Sequence, residues 1–254
     1  MTLVGISGAA GQMGRLVGEA VAMADDLELG GLYDPAGAGV AVAGRRVADE
    51  PSALDGSDIV VEFTRPDVVM GNLSTWRSAG AHAVVGTSGF DARRIAALRT
   101  VWQGGPPNCL VVPNFSIGAV LMMRLSELAA PHFDSTEVIE MHHDHKVDAP
   151  SGTSLETARR IAAAGGEQVR AVESTEAFDA ARGADFDGVR VHSIRLPGLL
   201  AHQQVVFGRA GETLSIRHDT LDRSSFIPGV LLAVRSVDGL SERVTVGLEP
   251  LLGV

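Results

Sequence analysis

The chain has 254 residues, 45% of them hydrophobic, a formal net charge of -10 and one cysteine, Cys109. That length holds one large or two small domains with a core, and the acidic balance disfavours nucleic acid or an anionic membrane surface as partner. A lone cysteine excludes an intramolecular disulfide and a Cys-rich zinc site and fits a reducing cytoplasm; the first residues lack a basic, then apolar leader, and no long apolar run predicts a membrane span.

Residues 2–7 form a short apolar run, followed by Gly8-Ala-Ala-Gly11-Gln12-Met13-Gly14 and a helical pattern to about residue 23. Strand, glycine-rich turn and helix in that order make a dinucleotide site. Gly8 permits the tight turn, Gly11 lets the backbone approach a pyrophosphate, and Gly14 allows the helix to pack closely on the strand. Amides at the helix start, with Gln12 and Met13, then face the phosphates. A second apolar stretch over 27–33 ends at Asp34, twenty positions after Gly14, where a ribose-binding acid is expected. A carboxylate there accepts from a 2′-hydroxyl and repels a 2′-phosphate, which favours NADH. Arg45 and Arg46 lie close enough in sequence to keep NADPH in play.

Residues 58–64 read as a buried parallel strand, with Arg65-Pro66 marking its exit and a helix continuing to about residue 79. Residues 81–87 form the next strand, 91–102 a helix, and 109–112 another strand. In an open α/β sheet the loops after the strands face the ligand. The turn from Gly8 to Gly14, then Phe63, Thr64 and Arg65, then Gly86, Thr87 and Ser88, then Pro113, Asn114 and Phe115, are therefore expected around one crevice. Taken singly, Thr87, Ser88 and Asn114 also fit ordinary turn chemistry.

Beyond Phe115 the pattern changes. Residues 117–131 form an apolar helix whose Met122 and Met123 suit a core. A strand over 137–142 leads into E-M-H-H-D-H-K-V-D-A-P-S-G-T, residues 140–153, with three histidines and a lysine in fourteen residues. Such a density of titratable groups is costly to bury and points to chemistry. If this stretch stayed extended, His142 and Lys146 would lie about 13 Å apart at roughly 3.3 Å per residue. A bend is required, and Asp144 and Pro150 favour one. Thr153-Ser-Leu-Glu156 fits a capping box and places a helix start directly after the histidines. The Gly152 and Thr153 amides, with the Ser151 and Thr153 hydroxyls, offer a carboxylate cradle to which Lys146 adds charge. His145 suits an orienting or packing role. A metal is disfavoured, because no H-E-x-x-H or similar ligand spacing accompanies the histidines.

Residues 165–188 are polar and weakly patterned, which predicts a long loop or flap. Residues 189–196 and 201–209 alternate in the manner of antiparallel strands, and a turn at Ala210-Gly211 leads to a third over 213–218. Such a ribbon offers edges to other subunits. A helix over 226–237 and a strand over 244–248 return to the first domain. The expected fold is α/β: a Rossmann-like parallel-sheet dinucleotide-binding domain (1–113 and 223–254) enclosing an inserted α+β substrate and oligomerisation domain (114–222).

The stretch H-H-D-H-K-V-D-A-P-S-G-T resembles the signature of the dihydrodipicolinate reductases of the diaminopimelate route to lysine. The turn G-A-A-G-Q-M-G-R and the segments E-F-T-R-P, V-V-G-T-S-G-F and P-N-F-S-I-G follow that family's order across essentially the whole chain. The resemblance implies an NAD(P)H-dependent reductase, taking NADH, NADPH or both, that acts at C4 of a small cyclic dicarboxylate and releases the 4-hydroxyl as water. It implies His142 as proton donor, Lys146 as its partner in protonation or charge stabilisation, His143, Gly152 and Thr153 as dicarboxylate ligands, and a homotetramer. Asp144 departs from the proline or arginine of many members, and Glu62 from their aspartate. A non-catalytic dinucleotide sensor and a dehydrogenase of a related acid substrate are the competing readings.

Overall fold

A computed structural model describes residues 1–165 and 175–254. These divide into two units, 1–117 with 226–254, and 118–225.

In chain order, the first unit begins with β1 (Thr2–Ser7), α1 (Gln12–Met23), β2 (Leu27–Tyr33), a small hairpin of β3 (Ala41–Val42) and β4 (Arg45–Arg46), β5 (Ile59–Glu62), α2 (Val69–Ser78), β6 (His82–Val85), α3 (Ala92–Val101) and β7 (Cys109–Val111). The second unit follows with α4 (Ile117–Ala129), β8 (Ser135–His142), α5 (Gly152–Gly165), β9 (Ala184–Phe186), β10 (Val189–Arg195), β11 (Ala201–Arg209) and β12 (Glu212–Thr220). The chain then returns to the first unit through α6 (Ile227–Ser236), β13 (Val244–Val246) and α7 (Glu249–Leu252).

The first unit's six strands are all parallel, in the order β13-β7-β6-β5-β1-β2. Strands covered on both faces need no polar alternation. Val4, Ile6, Val60, Val61, Val84, Val85 and Leu110 are accordingly buried. The connection from β1 runs one way to β2, and the chain later returns on its other side as β5, so strand order reverses at β1. Loops leaving neighbouring strands at such a reversal diverge and leave room for a ligand.

The second unit carries a mixed five-stranded sheet, ordered β12-β11-β8-β10-β9. Val138, Val189, Val191, Val205 and Phe207 pack with Ala158 and Ile161 of α5 to form its core. The two segments that alternate in the manner of antiparallel strands, β10 and β11, do not pair with each other. β8 lies between them, antiparallel to β11 and parallel to β10. Alternation reports which face is buried but not which strand is the neighbour. The turn at Ala210-Gly211 does join β11 to β12 as an antiparallel pair. Part of the loop expected over 165–188 lies outside the described residues, and its described end forms β9, paired to β10.

At the head of the first unit, Gly8 has φ of 81°, and a Cβ at Gly14 would stand 2.1 Å from the Gly8 carbonyl oxygen. Replacement of Gly14 by alanine must push α1 off β1. A loss of about 1–3 kcal/mol is expected from such overpacking, together with weaker binding of reduced dinucleotide. Denaturant unfolding and cofactor titration of Gly14→Ala check this; wild-type values in both would contradict the packing.

Candidate active site

In the first unit the strand-exit residues converge. A Cβ on Gly8 would meet the Phe63 carbonyl at 2.3 Å, and one on Gly86 would meet the Phe63 ring at 2.1 Å. The Phe63 and Phe115 rings lie 5.5 Å apart. The Thr64 amide donates to the Thr87 hydroxyl at 2.9 Å, and that hydroxyl donates to the Glu62 carbonyl at 3.3 Å. Glu62 itself is buried at the end of β5, and its carboxylate accepts from the Thr64 hydroxyl, the Asn72 amide at 3.1 Å and the Trp76 indole at 2.8 Å. A buried carboxylate must be paired this fully, and the outcome is a fixed Phe63–Thr64 loop.

The residues present fit a dinucleotide. Gly11 caps α1 without any side-chain hydrogen bond, so the amides of Gln12 and Met13 open the helix without a covering side chain. Asp34 follows β2 and accepts from the Ala10 amide at 3.2 Å and the Ala36 amide at 3.0 Å, which draws its carboxylate against the glycine turn. Asn114 accepts from the Ser116 amide at 2.9 Å. Ser88 and Pro113 are exposed, and exposed Arg65 is paired with Asp67. Phe115 is buried and acts as packing beneath the loops.

In the second unit the reactive groups sit at the end of β8 and on the bend after it. The Lys146 amide donates to the His143 carbonyl at 3.2 Å, so the chain turns there. The Lys146 ammonium lies 2.7 Å from the Asp148 carboxylate, and the His143 and His145 rings are 6.2 Å apart. Asp144 is exposed, with an oxygen 3.7 Å from His145. Among the described residues no three His, Cys, Asp or Glu side chains are grouped to hold a metal.

The helix after the bend starts at Gly152, earlier than a capping box at Thr153 and Glu156 requires. Ser151 is the cap: its hydroxyl accepts from the Ser154 amide at 3.2 Å. Glu156 instead pairs with Arg159 and Arg160. The Ser151 hydroxyl also meets the Ser154 hydroxyl at 2.5 Å and is buried, so this residue holds the helix start rather than presenting a free hydroxyl. Gly152 is exposed, and a Cβ there would meet nothing within 4 Å.

Two residues that the sequence reading gave no role lie at the centre of this unit's site. Glu140, wholly buried, accepts from His142 Nδ1, from the Ser151 amide at 3.2 Å, and from Arg195 Nη1 and Nη2, each at 2.9 Å. Burial pushes the Glu140 carboxyl up, but hydrogen bonds from His142, Arg195 and Ser193 outweigh it and hold the pKa at about 2. Register explains the meeting: Arg195 of β10 stands opposite His142 of β8, and Ser193 opposite Glu140.

A parallel sheet with a glycine turn, a helix N-terminus and a trailing acid, carried with a histidine-lysine bend and a second helix N-terminus, defines a nicotinamide-dinucleotide oxidoreductase of an anionic substrate. Residues 2–115 match the family model for the dihydrodipicolinate reductase N-terminus, and residues 118–252 that for the C-terminus. The chain belongs to the dihydrodipicolinate reductase family. It is 52% identical to the 4-hydroxy-tetrahydrodipicolinate reductase of Nocardia farcinica over 98% of each chain, and 50% identical to that of Thermobifida fusca over the full length of both. A dipicolinate-bound dihydrodipicolinate reductase from Paenisporosarcina sp. TG-14 superposes with a TM-score of 0.85 at 34% identity, covering 98% of this chain and 99% of that one.

The Glu140 carboxyl is held below its ordinary value of 4.5. Its contribution to stability is therefore complete above that value and is lost as pH falls toward about 2. Glutamine at this position does not titrate. Removing the acid from a buried pair costs about 3–5 kcal/mol near neutral pH, and the gap between wild type and Glu140→Gln should narrow on acidification. Urea unfolding of both proteins across the acid range reads the gap, and a gap independent of pH would contradict the assignment.

Proposed function

We propose that this protein reduces 4-hydroxy-tetrahydrodipicolinate to tetrahydrodipicolinate with NADH or NADPH, in lysine and diaminopimelate biosynthesis. The observation that carries the reading is a histidine, a lysine and a helix N-terminus on one short stretch of one unit, together with a dinucleotide-type sheet in the other, in a chain of this family. A reduced nicotinamide supplies the hydride that adds at C4. The remaining requirements are one proton, release of the 4-hydroxyl as water, and neutralisation of two carboxylates, so that substrate, reduced cofactor and a proton give product, oxidised cofactor and water.

His142 supplies the proton. Its Nδ1 is engaged by Glu140, while its Nε2 has no hydrogen-bond partner among the described residues. Lys146 brings a positive charge to the dicarboxylate by exchanging its Asp148 partner for substrate. The Gly152 and Thr153 amides and the His143 ring receive the carboxylates, and Ser151 keeps that helix start in place. A metal has no role in this scheme.

Asp34 favours the free 2′-hydroxyl of NADH. Arg45 and Arg46 are exposed on the β3–β4 hairpin, which returns to Asp34 through the Ala48 carbonyl, and they offer charge to the 2′-phosphate of NADPH. Both cofactors are therefore proposed, with the glycine turn, Asp34 and the loops at Phe63–Arg65, Gly86–Ser88 and Pro113–Phe115 as their site. A cytoplasmic homotetramer is the proposed assembly. The family resemblance implies it, and among the described residues the nine-residue β12 is an edge strand to which a further strand can pair.

Purified protein with freshly generated substrate should oxidise NADH, and NADPH as well. His142→Ala and Lys146→Ala should each lower kcat by about a hundredfold or more while retaining dinucleotide binding. Dinucleotide binding without turnover of the cyclic dicarboxylate would mark a sensor and overturn the proposal, as would turnover of a different acid in its place.

A further inference from the structure

Glu140 and His142 are two residues apart on β8 and therefore on one face of the sheet. A wholly buried carboxylate is an expensive feature that persists only when its oxygens are filled. Here they are filled by groups that each lead to a different part of the site: the His142 ring, the Ser151 amide at the start of α5, and the Arg195 guanidinium. Arg195 is as fully committed. Besides its two bonds to Glu140, it donates to the carbonyls of Ile194 at 2.8 Å, Lys146 at 3.3 Å and Asp148 at 2.5 Å. Those five contacts match the five N–H donors of a guanidinium, and two of them tie down the bend that carries Lys146.

Resting on the reading of His142 as proton donor and Lys146 as substrate cation, we propose that Glu140 and Arg195 are positioning residues for the reduction. Glu140 holds the His142 ring with its Nδ1 hydrogen turned inward and Nε2 outward. Arg195 holds the backbone from which Lys146 extends. The proton leaves from Nε2, the ring remains as the Nδ1–H tautomer, and solvent returns the proton to Nε2.

The sign of the effect follows from the charges around the ring. Glu140 lies on the same strand and Arg195 stands opposite on β10, whereas β11 offers only Ala201 at the matching position. The adjoining bend adds the Lys146–Asp148 pair and the His143, Asp144 and His145 side chains. Loss of the Glu140 charge removes the anion that favours imidazolium and leaves the Arg195 cation unopposed beside it. Both changes disfavour the proton-donating form, so the alkaline limb of kcat must move to lower pH.

The test compares kcat and KM against pH for wild type, Glu140→Gln, Glu140→Asp and Arg195→Lys, with NMR titration of the isotope-labelled His142 ring. Glu140→Gln should lower kcat at least about tenfold and move the alkaline limb and the ring titration to lower pH, with KM for the dinucleotide unchanged. Glu140→Asp should return the limb toward its wild-type position. Arg195→Lys should raise KM for the dicarboxylate more than it lowers kcat, because Lys146 loses its backbone tie while His142 keeps its carboxylate. A folded Glu140→Gln protein whose limb and ring titration coincide with wild type overturns the proposal. Should that variant not fold, wild-type His142 found as the Nε2–H tautomer in its neutral form overturns it equally. If wild type turns over no cyclic dicarboxylate, the functional reading fails by itself, and the ring titration still decides whether Glu140 governs His142.

Discussion

The contact between the buried Glu140 carboxylate and its donors sets the geometry of the second unit's reactive surface. A charge in that position is tolerable only if every oxygen is satisfied, and the donors come from three places: the same strand, the neighbouring parallel strand and the start of α5. Strand register, loop path and helix position are therefore coupled through one group. His142, the Lys146 and Asp148 carbonyls and the start of α5 have little freedom to move independently of one another.

The first unit uses the same device for another purpose. Glu62 ends β5 as Glu140 nearly ends β8, both wholly buried, and its oxygens take donors from α2 and from the loop that follows the strand. In each unit a paired buried acid at a strand end turns an exit loop, ordinarily a mobile element, into a fixed platform. Around Glu62 the platform lies beside the glycine turn; around Glu140 it carries His142, the proposed proton donor.

Much of this was legible in the sequence. Uninterrupted apolar runs bounded by glycines and prolines located the parallel strands, and the turn from Gly8 to Gly14 placed the first helix start because backbone approach demands those glycines. The run from His142 to Thr153 announced chemistry by its density of titratable groups. The partnership of Glu140 with Arg195 was not legible, since no spacing rule joins residues 55 apart on parallel strands. Alternation also left the neighbour of β10 unassigned, because a period of two is the same on either side of β8. The cap of α5 was misplaced by two residues, because Ser151 and Thr153 both present a hydroxyl three residues before a suitable partner, and only burial distinguishes them. Glu62 was legible as a structural departure, though its partners Asn72 and Trp76 were not.

The proposed reaction moves hydride from a nicotinamide to the ring of a cyclic dicarboxylate, with His142 furnishing the proton. Mass spectrometry of the product formed with NADH doubly deuterated at C4 tests it most directly. The expected product is tetrahydrodipicolinate carrying a single deuterium at ring C4, formed by wild type and nearly abolished in His142→Ala. Product without the label, or labelled product formed at the wild-type rate by His142→Ala, would contradict it.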